Sequence, residues 1–509
     1  MTPRCVLDGD PTVIEHAVGP AAQSTYRLVD VEVPPGTRRI EVAYTWTPAD
    51  DAVVDLGLRA PGGAFRGWSG SREGRIHAGQ DPVAVEEGGA SRGYLAGPIE
   101  PGTWSVELGF GDVGTGVAWR LEVACASTPR IEGCAVDDPV DPHHIARDEP
   151  GWYRADLHMH GWHSHPDAPG WDDAIAAARA AGVDICAFTE YTTSAHWPQL
   201  GAVQRANPDL LIWPAREIIT YFGHAVAYGA TPSTSEYRVG HRAVRGAAKA
   251  ISMADIQAAV VADGALFGVA HPTAYPVEEW GHFCRGCEYR LWDQTDLAAV
   301  TTMEVVTVGS LVGGHPNPFV RTAIEQWEAM LRAGHRVWAV AGSDDKLGDG
   351  YGGATTVIGA DRLDVHAVRE ALTAGRAYIE ARGVGASPGL SLTARPISGC
   401  DAVDHAAPGQ GHADAFTFGG AIAADAAEVV AEVSGAAGQR LSLRANGHEV
   451  ESVPITDDHW RYRFVGDRRP DEGPLGTFWT IEIHDDRALS ALGNPIFVTG
   501  STISARPGR

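Results

Sequence analysis

Histidines are unevenly placed along this chain: six of its 21 fall between residues 141 and 165, where an even spread would put about one. In Arg154-Ala155-Asp156-Leu157-His158-Met159-His160, two imidazoles at i and i+2 share one face of an extended segment, and Leu157 and Met159 share the other. Imidazoles so placed can hold one metal ion between them. On its own, a His-x-His pair reads more simply as a half-exposed strand. Further ligand types recur, however, at the ends of later apolar runs: Glu190 after Ile185 to Thr189, Glu217 after Leu211 to Arg216, His271 after Leu266 to Ala270, and Asp344 after Val337 to Ser343. His224 follows Glu217 by seven residues, across a hairpin expected at Tyr221-Phe222-Gly223, whose glycine permits a tight return. His158, His160, Glu217, His224, His271 and Asp344 thus offer four imidazoles and two carboxylates from five segments, which packing alone does not require. They point to a polynuclear metal site, whose cations can acidify a bound water and polarise a substrate. Zinc, manganese and iron all suit such ligands.

The elements that would position these residues alternate. Apolar strands are expected at about 153–158, 183–189, 210–216, 265–270, 302–306 and 336–341. Amphipathic helices with stop signals are expected from Asp172 to Ala181, from Met253 to Asp263 behind a Ser252/Asp255 capping box, and from Phe319 to Ala333 behind Asn317-Pro318. Alternating strand and helix predicts a parallel α/β sheet or barrel, and the strand ends of such a barrel carry its active site. Residues 1–145 read as an N-terminal β-sandwich with Pro-Gly and Gly-Gly turns, 146–384 as the α/β metallohydrolase barrel, and 385–509 as a C-terminal β domain. Asn446-Gly447 marks a hairpin in that last part. The tail from Ser504 reads as a frayed end.

Composition excludes several classes of function. With 40 basic against 65 acidic residues the formal charge is −25, a field that repels nucleic acid. No apolar run reaches the roughly 20 residues of a membrane span, and no secretory h-region follows Met1, so a cytoplasmic protein acting on a small molecule is expected. Oligomeric state is not legible. Seven scattered cysteines, at 5, 125, 134, 186, 284, 287 and 400, make no paired framework. Cys284-Arg285-Gly286-Cys287 has metal-like spacing without a second half and reads as two loop thiols.

Between about residues 153 and 380 the chain resembles the polymerase and histidinol phosphatase (PHP) superfamily. The resemblance lies in Asp156-Leu157-His158-x-His160, Thr189-Glu190-Tyr191, Glu217 with Gly223-His224, Ala270-His271-Pro272 and Gly342-Ser343-Asp344. It implies a distorted seven-stranded (β/α) barrel. A looser likeness to the carbaryl-hydrolase-like branch rests on Phe65-Arg66-Gly67-Trp68-Ser69-Gly70, Pro101-Gly102-Thr103-Trp104 and Thr220-Tyr221-Phe222-Gly223-His224. By this resemblance His158, His160, Glu217 and Asp344 form one metal site, and Glu217, His224 and His271 a second, with Glu217 bridging. A third family site would draw on positions 165, 191 and 346, where this chain has His165, Tyr191 and Lys346. Lysine cannot ligate while protonated, so two ions are expected. These three residues then become candidates for catalysis: His165 as general acid, Tyr191 as hydrogen-bond donor, Lys346 as a point charge for substrate. His163 and His196 are weaker candidates, and Glu190 is expected to stand behind the ligands. The branch implies hydrolysis of a small ester, carbamate or amide. Alternatives are a phosphoesterase and a catalytically inactive metal-binding protein. An excess of aromatics near the motifs (Trp162, Trp171, Trp197, Trp213, Tyr221, Tyr275, Trp280) over the cations Arg216 and Lys346 favours the carbon ester.

Overall fold

The computed structural model describes residues 2–48, 52–70, 82–241, 250–281, 284–397 and 416–500. Cys400 and the tail from Ser504 lie outside the described residues. The fold is α/β, rich in strands and sparing in helices.

The chain begins with two four-stranded antiparallel sheets. One orders Thr12–Val18, Val117–Ala126, Arg39–Thr47 and Val83–Glu86; the other orders Thr25–Val33, Gly102–Asp112, Val53–Arg59 and Phe65–Trp68. Strict alternation explains the pairing: in Val117–Ala126 every second residue is buried, so one face of each sheet packs on the other. Val31, Ile40, Leu56, Trp104, Leu108 and Leu121 fill the space between them.

The segment that follows carries the expected ligands. Its strands are β1 (Gly151–Met159), β2 (Ile185–Tyr191), β3 (Leu211–Thr220), β4 (Gly223–Tyr228), β5 (Leu266–Val269), β6 (Thr302–Thr307), β7 (Trp338–Gly342), β8 (Thr355–Ala360) and β9 (Ala377–Glu380). They lie in the order β7-β6-β5-β4-β3-β2-β1-β8-β9. The exit of β7 also meets the exit of β1: the Asp344 amide donates to the His158 carbonyl at 2.7 Å, and the His160 amide to the Asp345 carbonyl at 3.0 Å. Both faces of these strands are buried, as their near-continuous apolar runs require. Helices α1 (Trp171–Ala180), α2 (Leu200–Ala206), α3 (Met253–Ala262), α4 (Pro318–Arg332) and α5 (Val365–Thr373) connect them. The capping box of α3 forms between Ser252 and Asp255, and Asn317 caps α4 through the Phe319 amide.

The sheet is not the parallel one expected. Neighbours β1-β2-β3 and β5-β6-β7 are parallel, but β3 and β4 form an antiparallel hairpin in which Thr220 faces Gly223, β4 is antiparallel to β5, and β8 is antiparallel to β1. A two-residue turn leaves no room for the crossover a parallel pair needs. Beyond β9 the same sheet continues through Leu489–Gly493, Thr477–His484, Arg440–Ala445 and His448–Pro454. Asn446 and Gly447, with φ of 49° and 84°, make the hairpin turn between the last two in sequence. A three-stranded sheet, Gly389–Pro396, Ala426–Ser434 and His459–Asp467, packs on this extension through Leu392, Val429 and Ile481.

Candidate metal centre

β1 ends with His158 and His160 buried on one side and Leu157 and Met159 on the other. Asp156, one turn of the pleat earlier, accepts from the Ser343 amide at 3.0 Å and the Gly352 amide at 2.9 Å, fixing β1 against the segment that carries Asp344. Burial pushes its carboxyl up to about 6, with the backbone donors opposing. Gly342 is required here, because a Cβ on it would lie 2.4 Å from the His158 Cβ.

His158, His160, Glu217 and Asp344 converge so that one ligand atom from each lies within 4.8 Å of the others. His158 Nε2 is 3.4 Å from Glu217 Oε2 and 3.5 Å from Asp344 Oδ1; His160 Nε2 is 3.4 Å and 3.0 Å from the same two atoms. Four ligands held at about 2.1 Å around a tetrahedral cation stand about 3.4 Å apart, so the spacing fits an ion. The polar accounting agrees. His158 Nε2 and Glu217 Oε2 are buried and have no hydrogen-bond partner, an arrangement that costs about 1–3 kcal/mol per group unless something fills the gap.

The two oxygens of Glu217 face different ways. Oε2 joins the group just described, whereas Oε1 is 3.0 Å from His224 Nδ1 and 3.2 Å from His271 Nε2. Burial opposes charge on Glu217, but His158 and His224 outweigh it and hold the carboxyl well below its ordinary range. The same contest on His158 runs the other way: burial disfavours its cation, yet Glu304, Glu217 and Asp344 raise its pKa. The pocket is built for positive charge. Two of its residues also sit in left-handed backbone, His271 at φ 23° and Asp344 at φ 48°, a strain that clusters at functional sites.

Groups behind the ligands orient them. Glu304 Oε2 is 2.9 Å from His158 Nδ1 and accepts from the His271 amide at 3.2 Å. Ser164 Oγ is 3.1 Å from His160 Nδ1 and also bonds Glu190, whose carboxyl burial pushes up to about 7. Glu304 was not among the sequence candidates; a lone carboxylate inside the apolar run Thr302–Thr307 was its only signal. The loop after His160 is held from the N-terminal sheets, with Arg92 donating to the Ser164 carbonyl at 2.6 Å.

The residues of the third site that the sequence resemblance implied separate. Lys346 Nζ is 2.6 Å from Asp344 Oδ1 and 5.6 Å from the centre of the Tyr191 ring, which itself packs 4.4 Å from that of His160. Burial works against the Lys346 ammonium, but Asp344 prevails and raises its pKa. His165, by contrast, joins neither ligand group: its Nδ1 accepts from the Asp167 amide. His163 accepts from the Gly93 amide, and His196 bonds the Phe188 and Ala215 carbonyls; burial lowers both to about 3, as for neutral packing histidines.

Several aromatics counted toward the pocket serve packing instead. Trp213 stacks on Tyr228 inside the sheet, Trp171 meets Phe188 edge-on, and the Tyr221 hydroxyl bonds Asp55. Arg216 lies on the strand face opposite Glu217 and donates from Nε to Thr231 and from Nη1 to the Thr192 carbonyl. Cys284 and Cys287 are joined by a disulfide rather than being free loop thiols; the turn at Gly286, φ 94°, brings their Cα atoms to 5.6 Å, within bridging range. Cys287 lies beside His224 and His271.

No family profile matches the chain, and no curated protein does. Among solved structures, it is similar to a two-domain protein of Bacteroides vulgatus ATCC 8482 described as containing a predicted PHP-like metal-dependent phosphoesterase. The identity is 15%, the match covers 71% of this chain and 100% of that one, and the TM-score is 0.35. PsfC of Pseudomonas syringae PB-5123 is similar at 15% identity over 41% of this chain and 83% of its own, with a TM-score of 0.28. No helix among the described residues is long and apolar enough to cross a membrane.

Proposed function

We propose that this chain is a metal-dependent hydrolase of the PHP type, a distorted (β/α) seven-stranded barrel flanked by β domains at residues 1–145 and 385–509, that acts in the cytoplasm on a small ester, carbamate or amide. One observation carries the reading: Glu217 turns one oxygen to His158, His160 and Asp344 and the other to His224 and His271, the posture of a carboxylate shared by two cations. Return of β7 to the exit of β1 supports the closed barrel. Divalent cations held there would supply Lewis acidity to a substrate oxygen and a water.

The chain's own residues do the rest. Glu304 and Ser164 keep the imidazoles of His158 and His160 turned toward the ligand atoms. Lys346 sets a fixed positive charge beside Asp344, where it can meet an oxyanion, and the Tyr191 hydroxyl faces the same ammonium. A recess of about 230 Å³ opens beside the loop after His160, bordered by Gly161, Trp162 and Pro169, and its apolar lining favours a carbon ester over a phosphate. The Lys346 charge is the observation that favours the second reading, a phosphoesterase.

Metal analysis followed by turnover of aryl acetates, aryl carbamates and aryl phosphates tests the proposal. Carbon esters or carbamates are expected to be cleaved with the higher kcat/KM. Preference for the phosphate establishes the second reading, and a metal content near zero without turnover refutes both.

A further inference from the structure

At the sheet edge opposite the metal centre, where β7 and β9 begin, lies a cavity of about 530 Å³ bordered by Arg336, Trp338, Arg369, Arg376 and Gly419. Trp338 opens β7 and Asp344 lies beyond its exit at Gly342, about 13 Å of strand further on, so this is a different place from the ligand cluster. Gly419 closes one wall; a Cβ on it would fall 1.9 Å from the Ala374 carbonyl oxygen.

Three arginines line this cavity in a chain with 65 acidic and 40 basic residues. Among the described residues none of the three has a carboxylate partner, and Glu370, on the same rim, pairs with none of them. Arg376 is the telling one. It is only 8% exposed and its Nε has no hydrogen-bond partner. A guanidinium cannot shed its proton to escape burial, so a buried N–H without a partner is costly, and an anion bound at the outer nitrogens of the same guanidinium offsets that cost. Arg336 lies 5.3 Å over the Phe497 ring, which leaves its N–H edge free to turn outward. One carboxylate occupies one guanidinium fork, whereas the three terminal oxygens of a phosphate can serve three. The volume falls within the range of small-molecule sites.

We propose that this cavity binds a phosphorylated small molecule, its phosphate held by Arg376 with Arg369 and Arg336. The inference stands apart from the hydrolase reading. Isothermal titration of the full chain with inorganic phosphate and with glycerol phosphate, against succinate as the carboxylate arm, tests it. Saturable phosphate binding is expected, weakened at least tenfold in Arg376→Gln. Arg369→Gln, at a partly exposed helical position, gives the same readout should the buried substitution fail to fold. Equal phosphate affinity in the wild-type chain and the folded variants, or no saturable binding, overturns the proposal; tighter binding of succinate overturns the assignment to phosphate.

Discussion

Glu304 offers the sharpest test of how the ligands are positioned. Its Oε2 both meets His158 Nδ1 at 2.9 Å and accepts from the His271 amide at 3.2 Å, so one carboxylate orients a residue of each ligand group. Replacing it by glutamine keeps the volume but removes the charge, weakening a charge-assisted bond worth about 1.5–3 kcal/mol. Loss of such an outer partner typically lowers metal affinity about 10–100-fold, or about 1.4–2.8 kcal/mol, which agrees with that bond energy. Because both histidines depend on Glu304, both binding steps are expected to weaken. Competition against a chromogenic chelator, with zinc or manganese added stepwise to wild type and Glu304→Gln, reads each step separately. Unchanged affinity at both steps would refute the orienting role.

Three further substitutions probe other links. Lys346→Ala is expected to leave metal content unchanged while lowering kcat or altering substrate preference, checked by metal analysis beside steady-state kinetics; lost metal would make Lys346 a structural element of the site. Gly342→Ala forces a Cβ to within 2.4 Å of the His158 Cβ, so an overpacking cost of about 1–3 kcal/mol and weaker metal binding should appear together in denaturation and chelator assays. Glu190 binds its proton more tightly when folded, at about 7 against an ordinary 4.5, so wild-type stability is lost as pH rises between those values. Glu190→Gln escapes that loss, and its stability relative to wild type should climb by up to about 3 kcal/mol from pH 5 to pH 8; a constant difference in urea unfolding would contradict the buried-carboxyl account.

What the sequence made legible followed local rules. His158 and His160 share a strand face by period alone, the Ser252/Asp255 and Asn317 caps start helices where expected, and the Tyr221-Phe222-Gly223 turn returns His224 to Glu217. What it hid was relational. An apolar run looks the same whether its neighbour is parallel or antiparallel, so beyond the hairpin expected at Tyr221-Phe222-Gly223 the antiparallel pairings of the sheet were not foreseen. Glu304 gains meaning only from His158, 146 positions away, and Arg92 from a loop 72 positions on. Trp213 and Arg216 sit near the motif in sequence, yet strand alternation turns Arg216 away from Glu217, and Trp213 packs in the core. His165 missed the cluster because the turn after Gly161 carries it toward Asp167.

The central proposal is that Glu217 would be shared by two cations. Metal content of the purified chain, measured by mass spectrometry beside that of Glu217→Gln at matched fold and pH, addresses it most directly. About two equivalents in the wild type and loss from both sites in the variant is the expected result; a Glu217→Gln protein with wild-type metal content would contradict the shared carboxylate and the metal map built on it.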